Sequence, residues 1–323
     1  MRFARHLFFS AVIAVCLLTG CSLHRSVQLE IIPDTDVELT DTPFFPQKSY
    51  QCGPAALAMA LMASGVAVHP DDLTDNIYLP GRKGSLQLEL IAAIRSYQRI
   101  PYLLSPEIGA VATEIQAGRP VLVLQNLGLT MLPIYHYAVA VGLQSTGQIV
   151  LRSGTTRRLV MDLDDFIVSW EKAGRWALIV LKPEELPEDI DLIKYLGTLA
   201  EIEATGNTAL AEDGYRTLLK KYPDHPTTLF GLANTLLAGN QLAEAAATYR
   251  EILSRDPAHA AATNNLAETL AGMHCFRQGL DLLDTFLEKN NQHSDLKATL
   301  LTTRQEIIAR MQTEVERNTL CRE

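Results

Sequence analysis

The stretch QCGPAALAMALMASG, Gln51 to Gly65, sets a cysteine directly before Gly-Pro and a run of strong helix formers. Proline suits the first turn of a helix, and Ala55 to Met59 propagate it. Cys52 therefore falls at or beside a helix N-terminus, where unpaired N–H groups and the positive end of the dipole favour an anion. Helix N-termini lower thiol pKa values, so the chemistry in view is attack by a thiolate. Gly53 removes side-chain bulk beside the sulfur. A nucleophile of this kind needs a base. His136, in IYHYAVAVG, stands at the start of an apolar strand, from which an imidazole can project toward the helix start. Flanked by Tyr135 and Tyr137, it also fits a purely structural role. Gln47, five residues before Cys52, carries an amide able to donate to an oxyanion beside the Cys52 backbone N–H. His69 and His24 have no comparable context.

The elements that must position these groups are legible in outline. The helix after Pro54 ends at Gly65, a natural stop. SLQLELIAAIRSYQ puts Leu86, Leu90, Ile94 and Tyr97 on one face of a second helix. RPVLVLQN reads as a buried strand, and YHYAVAVGL, IVLRSG, RRLVMD and RWALIVLKP read as further strands, with DDFIVSW a short helix among them. Helices followed by an antiparallel meander predict an α+β domain.

Beyond KPEELPED the β-branched runs give way to Ala and Leu. Pro223 and Pro257 are 34 positions apart, and the same offset joins Leu232 to Leu266, Ala233 to Ala267, Leu236 to Leu270, Tyr215 to Tyr249 and Leu219 to Leu253. A 34-residue period with these residue types resembles the tetratricopeptide repeat, an all-α solenoid. Three units are expected, at 191–223, 224–257 and 258–291, with DLKATLLTTRQEIIARMQTEVER as a capping helix. Such repeats present a surface to a protein partner and carry no chemistry. His259, His274 and Cys275 are expected to pack or lie at the surface. No spacing suggests a metal site, and no cofactor is expected.

The chain has 323 residues, 47% hydrophobic and 20% charged, with a formal net charge of −9. That balance disfavours nucleic acid as a partner. At the start, Arg2 and Arg5 precede an apolar run from Leu7 to Leu18, too short to span a bilayer and suited to an export signal. The run ends in LLTGC, which resembles a bacterial lipobox. The resemblance implies cleavage before Cys21, lipidation of that cysteine and a membrane-anchored protein in the bacterial cell envelope. Ser22 after the cysteine points to the periplasmic face of the outer membrane. Cys52, Cys275 and Cys321 then remain; Cys275 and Cys321 are candidates for a disulfide, and Cys52 is the odd thiol.

Taken in order, FFPQKSYQCGPAALAMAL, KGSLQLELIAAIRSY, AGRPVLVLQN and HYAVAVGL resemble the C39 and C39-like papain-fold cysteine peptidases over about residues 43–182. The resemblance implies Cys52 as nucleophile, His136 as general base and then acid, and Gln47 as the oxyanion side chain, acting on a peptide or protein substrate. It departs from the family in two ways. The Gln-to-Cys spacing is one residue short. The strand after that of His136 reads IVLRSGTT, so Arg152 or Ser153 stands where the family has Asp or Asn. Ser153, Asn126 and Asp162 are the candidates for the third member; an Arg beside the ring would disfavour the imidazolium. RSGTTRR, with Arg157 and Arg158, is expected to be a solvated hairpin rather than an anion site.

The expected organisation is a signal over 1–20, a tether over 21–40, a papain-like domain over 41–182, a linker over 183–190 and a repeat domain over 191–323. The expected function is a membrane-anchored cysteine peptidase whose repeats recruit a substrate or partner. The alternative is a papain-fold binding module weakened in catalysis, or an envelope scaffold.

Overall fold

The computed structural model describes residues 32–48, 51–82, 84–289 and 294–313. The signal run, the lipobox with Cys21, and Cys321 lie outside the described residues. Contacts divide the chain into two compact units, the first reaching Val180 and the second running on from Ile190.

The first unit is built on a seven-stranded sheet. Its strands are β1 (Val37–Glu38), β2 (Ile100–Leu103), β3 (Val121–Asn126), β4 (Tyr135–Gln144), β5 (Gln148–Ser153), β6 (Thr156–Asp162) and β7 (Ala177–Leu181). The order is β2-β7-β3-β4-β5-β6, with β1 paired to the far end of β4. β3 to β6 form the expected antiparallel meander. β7 does not continue it; it returns to pair with β3, with Leu122 opposite Leu178. The helix α5 (Leu163–Glu171) lies between β6 and β7 in sequence and makes this return possible, because a connection carrying a helix need not be a hairpin.

Among the described residues the unit has four more α-helices: α1 (Cys52–Ala63), α2 (Pro70–Ile77), α3 (Gln87–Ser96) and α4 (Ile108–Gln116). α1 is made almost wholly of Ala, Leu and Met, and Gly53 to Leu61 are all buried. A helix apolar on every side belongs inside the unit. Leu57 and Leu61 share one cluster with Leu90 of α3 and with Tyr137, Val139 and Val141 of β4. Each such fully buried leucine contributes about 2 kcal/mol. The alternation of a strand sends His136 and Ala138 to the other face from Tyr137 and Val139.

The second unit consists of seven helices among the described residues: α6 (Leu192–Ala204), α7 (Thr208–Lys221), α8 (Pro226–Ala238), α9 (Leu242–Arg255), α10 (Ala260–Gly272), α11 (Phe276–Lys289) and α12 (Ser294–Thr313). The starts of α6, α8 and α10 (192, 226, 260) repeat every 34 residues, as do those of α7, α9 and α11 (208, 242, 276). The turns obey the same period. Gly206, Asn240 and His274 all have positive φ, at 82°, 58° and 63°. His225 and His259, also 34 apart, each cap a helix through a side-chain nitrogen that accepts a backbone N–H. Small residues let paired helices meet: a Cβ on Gly231 would lie 2.8 Å from the Tyr215 hydroxyl. Cys275 is disulfide-bonded. No helix of the described residues is long and apolar enough to cross a membrane.

Candidate active site

Cys52 is the first residue of α1, after Gln51, whose side chain makes no capping hydrogen bond. Pro54 lacks an N–H, and Ala55 N–H is the first to close the helix, donating to Gln51 at 3.2 Å. The start of α1 thus offers its N–H groups to whatever occupies the space in front of Cys52. The thiol is free and half-buried. It forms part of the wall of a cleft of about 740 Å³, together with Gly84, Ser85 and Leu86 before α3 and Ile134, Tyr135 and Tyr137 at the start of β4.

His136 sits at the open end of β4, half-buried, opposite Gln125 of β3. Burial holds its imidazole below the ordinary pKa, so the ring is neutral at pH 7. Its Nε2 is 2.8 Å from Ser153 Oγ at the end of β5, which leaves Nδ1 for another partner. Among the described residues no hydrogen bond joins Cys52 to His136. His136 is not among the described residues that line the cleft.

Of the three candidates for the third member, the structure brings only Ser153 to the imidazole. Asn126 is buried with its Oδ1 committed elsewhere: it accepts from Gly128 N at 3.0 Å and Ile134 N at 2.9 Å, closing the loop between β3 and β4. Asp162 receives Gln148 Nε2 at the opposite end of the β5–β6 hairpin from Ser153. Five residues of strand separate the two ends, about 16 Å.

Arg152 does not lie beside the imidazole. Neighbouring residues of a strand face opposite ways, and its guanidinium is held by the Arg157 carbonyl at 2.7 Å and by Glu38 at 3.8 Å. Arg158 is clasped by both carboxylate oxygens of Glu38, at 3.1 and 2.9 Å. This pairing commits Arg152 and Arg158 to Glu38 and leaves Arg157 exposed at the turn. The β4–β5 ladder shifts register between Ala140 and Gly142, and the β5–β6 ladder between Leu151 and Ser153, which sets Ser153 opposite Thr156 at the strand end.

Gln47 enters from the other side. Its backbone N–H donates to Gly154 O at 3.1 Å, next to Ser153. It lines a smaller recess of about 230 Å³ with Phe45, Gln51 and His69. His69 caps α2 within a capping box completed by Asp72.

The sequence did not single out Ser85, Ile134, Tyr135 or Tyr137 as site residues. Ser85 packs against Gly53, where a Cβ would stand 2.7 Å from the Ser85 Cβ. Its hydroxyl is buried and has no hydrogen-bond partner among the described residues. Tyr137 O–H donates to the Ser85 carbonyl at 3.4 Å, and burial together with the nearby Cys52 raises the phenol pKa. A clue lay in GLTMLPIY, a run of apolar residues without the alternation of a half-buried strand.

The molecule is therefore a papain-like α+β domain followed by an all-α tetratricopeptide-repeat region. Residues 39–178 match the model of the Peptidase C39 like family, and residues 203–260 and 230–274 match the tetratricopeptide repeat. The crystal structure of the peptidase domain of Streptococcus ComA, a bi-functional ABC transporter involved in a quorum sensing pathway, is similar at 18% identity and a TM-score of 0.37. That match covers 44% of this chain and 98% of the other. No curated protein matches the chain.

Proposed function

We propose that the chain is a lipid-anchored cysteine peptidase that hydrolyses an amide bond of a peptide or protein. The reading rests above all on one observation: Cys52, at the start of α1, walls an open cleft bounded by Tyr135 and Tyr137, and His136 between those two tyrosines is neutral and anchored on Ser153. In this reading His136 takes the Cys52 proton and the sulfur attacks the carbonyl carbon. The oxyanion meets the Cys52 backbone N–H and the Gln47 amide. The amine leaves with the proton from His136, leaving a thioester. Water, deprotonated by His136, then releases the acid and restores the thiol. The repeats bind a protein partner or hold the substrate. Cys21 carries the lipid and keeps the protein in the bacterial cell envelope, on the periplasmic face of the outer membrane.

A second reading has its own observation. Ser153 replaces a carboxylate and supports an imidazolium less well, which suits a binding module of weakened catalysis. Alkylation by iodoacetamide across pH, on the full chain in detergent, separates the two. Labelling of Cys52 faster than free cysteine below pH 7, slowed about 100-fold by His136→Ala, is expected of the enzyme. Labelling no faster than free cysteine would sink it.

A further inference from the structure

The cleft beside Cys52 has an unusual chemistry. Among the described residues none that lines it carries a charge. Leu86, Leu124, Ile134, Tyr135 and Tyr137 give it aliphatic and aromatic walls. Its volume, about 740 Å³, is far beyond what a glycine would fill.

The apolar surface does not stop at the rim. The loop between β3 and β4, residues 127–134, contains no charged residue. Met131 at its tip is 91% exposed, Ile134 63% and Tyr135 58%. Exposed apolar side chains clustered at the mouth of a cleft mark a contact surface. The loop is also held in shape. Leu127 N–H donates to Ile134 O, Leu132 N–H to Leu129 O, and buried Asn126 takes two further N–H groups. A rigid apolar wall loses little entropy when a ligand covers it.

We propose that this cleft is the substrate-selecting pocket of the peptidase: it takes a large uncharged side chain, aliphatic or aromatic, adjacent to the bond that Cys52 attacks, and the 127–134 hairpin covers the neighbouring apolar residues of the same peptide. The proposal rests on the cysteine-peptidase reading above, because the occupant of a cleft walled by the nucleophile is the substrate. An anionic side chain would meet no cation among the described lining residues and would lose its hydration. A glycine would leave the aromatic walls without a contact.

N-acetyl-glycyl-Xaa vinyl sulfones, in which Xaa carries the vinyl group, test this, with Xaa as Phe, Leu, Gly, Lys or Glu. The thiolate adds to the vinyl carbon, forming a C–S bond with no leaving group, and the carbanion takes a proton from solvent. Rates of Cys52 labelling on the full chain are divided by the iodoacetamide rate, so a failure of the thiol itself shows in the denominator. Phe and Leu probes should react at least about tenfold faster than Gly or Glu. Ile134→Asp should cut the Phe-to-Lys rate ratio by about tenfold or more by giving a cation a partner. Normalised rates within twofold across the series, or a Glu probe leading, would overturn the proposal. So would equal rates together with a blue shift of Met131→Trp emission on phosphatidylcholine vesicles, which would assign the hairpin to a lipid surface.

Discussion

The two units of this chain solve the problem of specifying a structure in opposite ways. In the repeat unit every device recurs after 34 residues: helix starts, histidine caps, and positive-φ turn residues at Gly206, Asn240 and His274. Each position there is set by near neighbours in sequence, so an error is local. The peptidase-like unit repeats nothing. Cys52 and His136 are separated by most of the unit, and Ser153 comes from yet another strand. The site exists only if β3, β4 and β5 pair in one register, because a slip of one residue would turn His136 away from Ser153. Local redundancy builds a surface, and long-range pairing brings His136 to Ser153.

The contrast can be broken at several points. The His136→Ala effect on alkylation, about 100-fold, is the largest, since it removes a group that no neighbour replaces. Next comes Gly53→Ala. The new methyl meets Ser85, which is short and cannot swing away, and thermal unfolding should show a loss of about 1–3 kcal/mol that Ser85→Gly largely restores. Unchanged stability would mean that α1 shifts freely. Ser153→Asp should then raise Cys52 alkylation about tenfold, through a carboxylate that supports the imidazolium; an equal or lower rate would show that Ser153 is not the ring's working partner. Smaller still is acid sensitivity. The folded-state pKa of His136 is depressed, so its neutral form contributes stability in full above the unfolded pKa of about 6.5 and loses it as pH falls toward the folded value. His136→Gln should flatten the drop in melting temperature between pH 7 and 5. The smallest effect belongs to the repeats. His274 occupies a conformation that its counterparts fill with Gly and Asn, and His274→Gly should stabilise by about 0.5–1 kcal/mol in the same melt.

Legibility in the sequence followed the same divide. The repeat boundaries could be read to within a few residues, because a period announces itself. In the first unit the apolar runs located β3 to β7, but not the return of β7 to β3, since pairing partners leave no local trace. β1, β2, α2 and α4 went unread; they are short or lack a strong period. Cys52 and its helix were legible because capping chemistry is local. That Ser153 rather than Asn126 or Asp162 meets His136 was not, because it depends on register and on the irregularity between Leu151 and Ser153. The cleft walls stayed hidden for a related reason: exposed Ile134 and Tyr135 look, residue by residue, like interior material.

The serine at the end of β5 has one more consequence. A carboxylate facing Nε2 can only accept, so it keeps the proton on that nitrogen and leaves Nδ1 bare. A hydroxyl gives or takes with equal ease. Ser153 therefore does not dictate which tautomer His136 adopts, and only the form protonated on Nε2 has a free lone pair on Nδ1 to offer a thiol. In the proposed peptidase the fraction of molecules ready to react would be set by a proton's choice between two nitrogens, and a substrate whose carbonyl or N–H engages that end of the sheet would tip it.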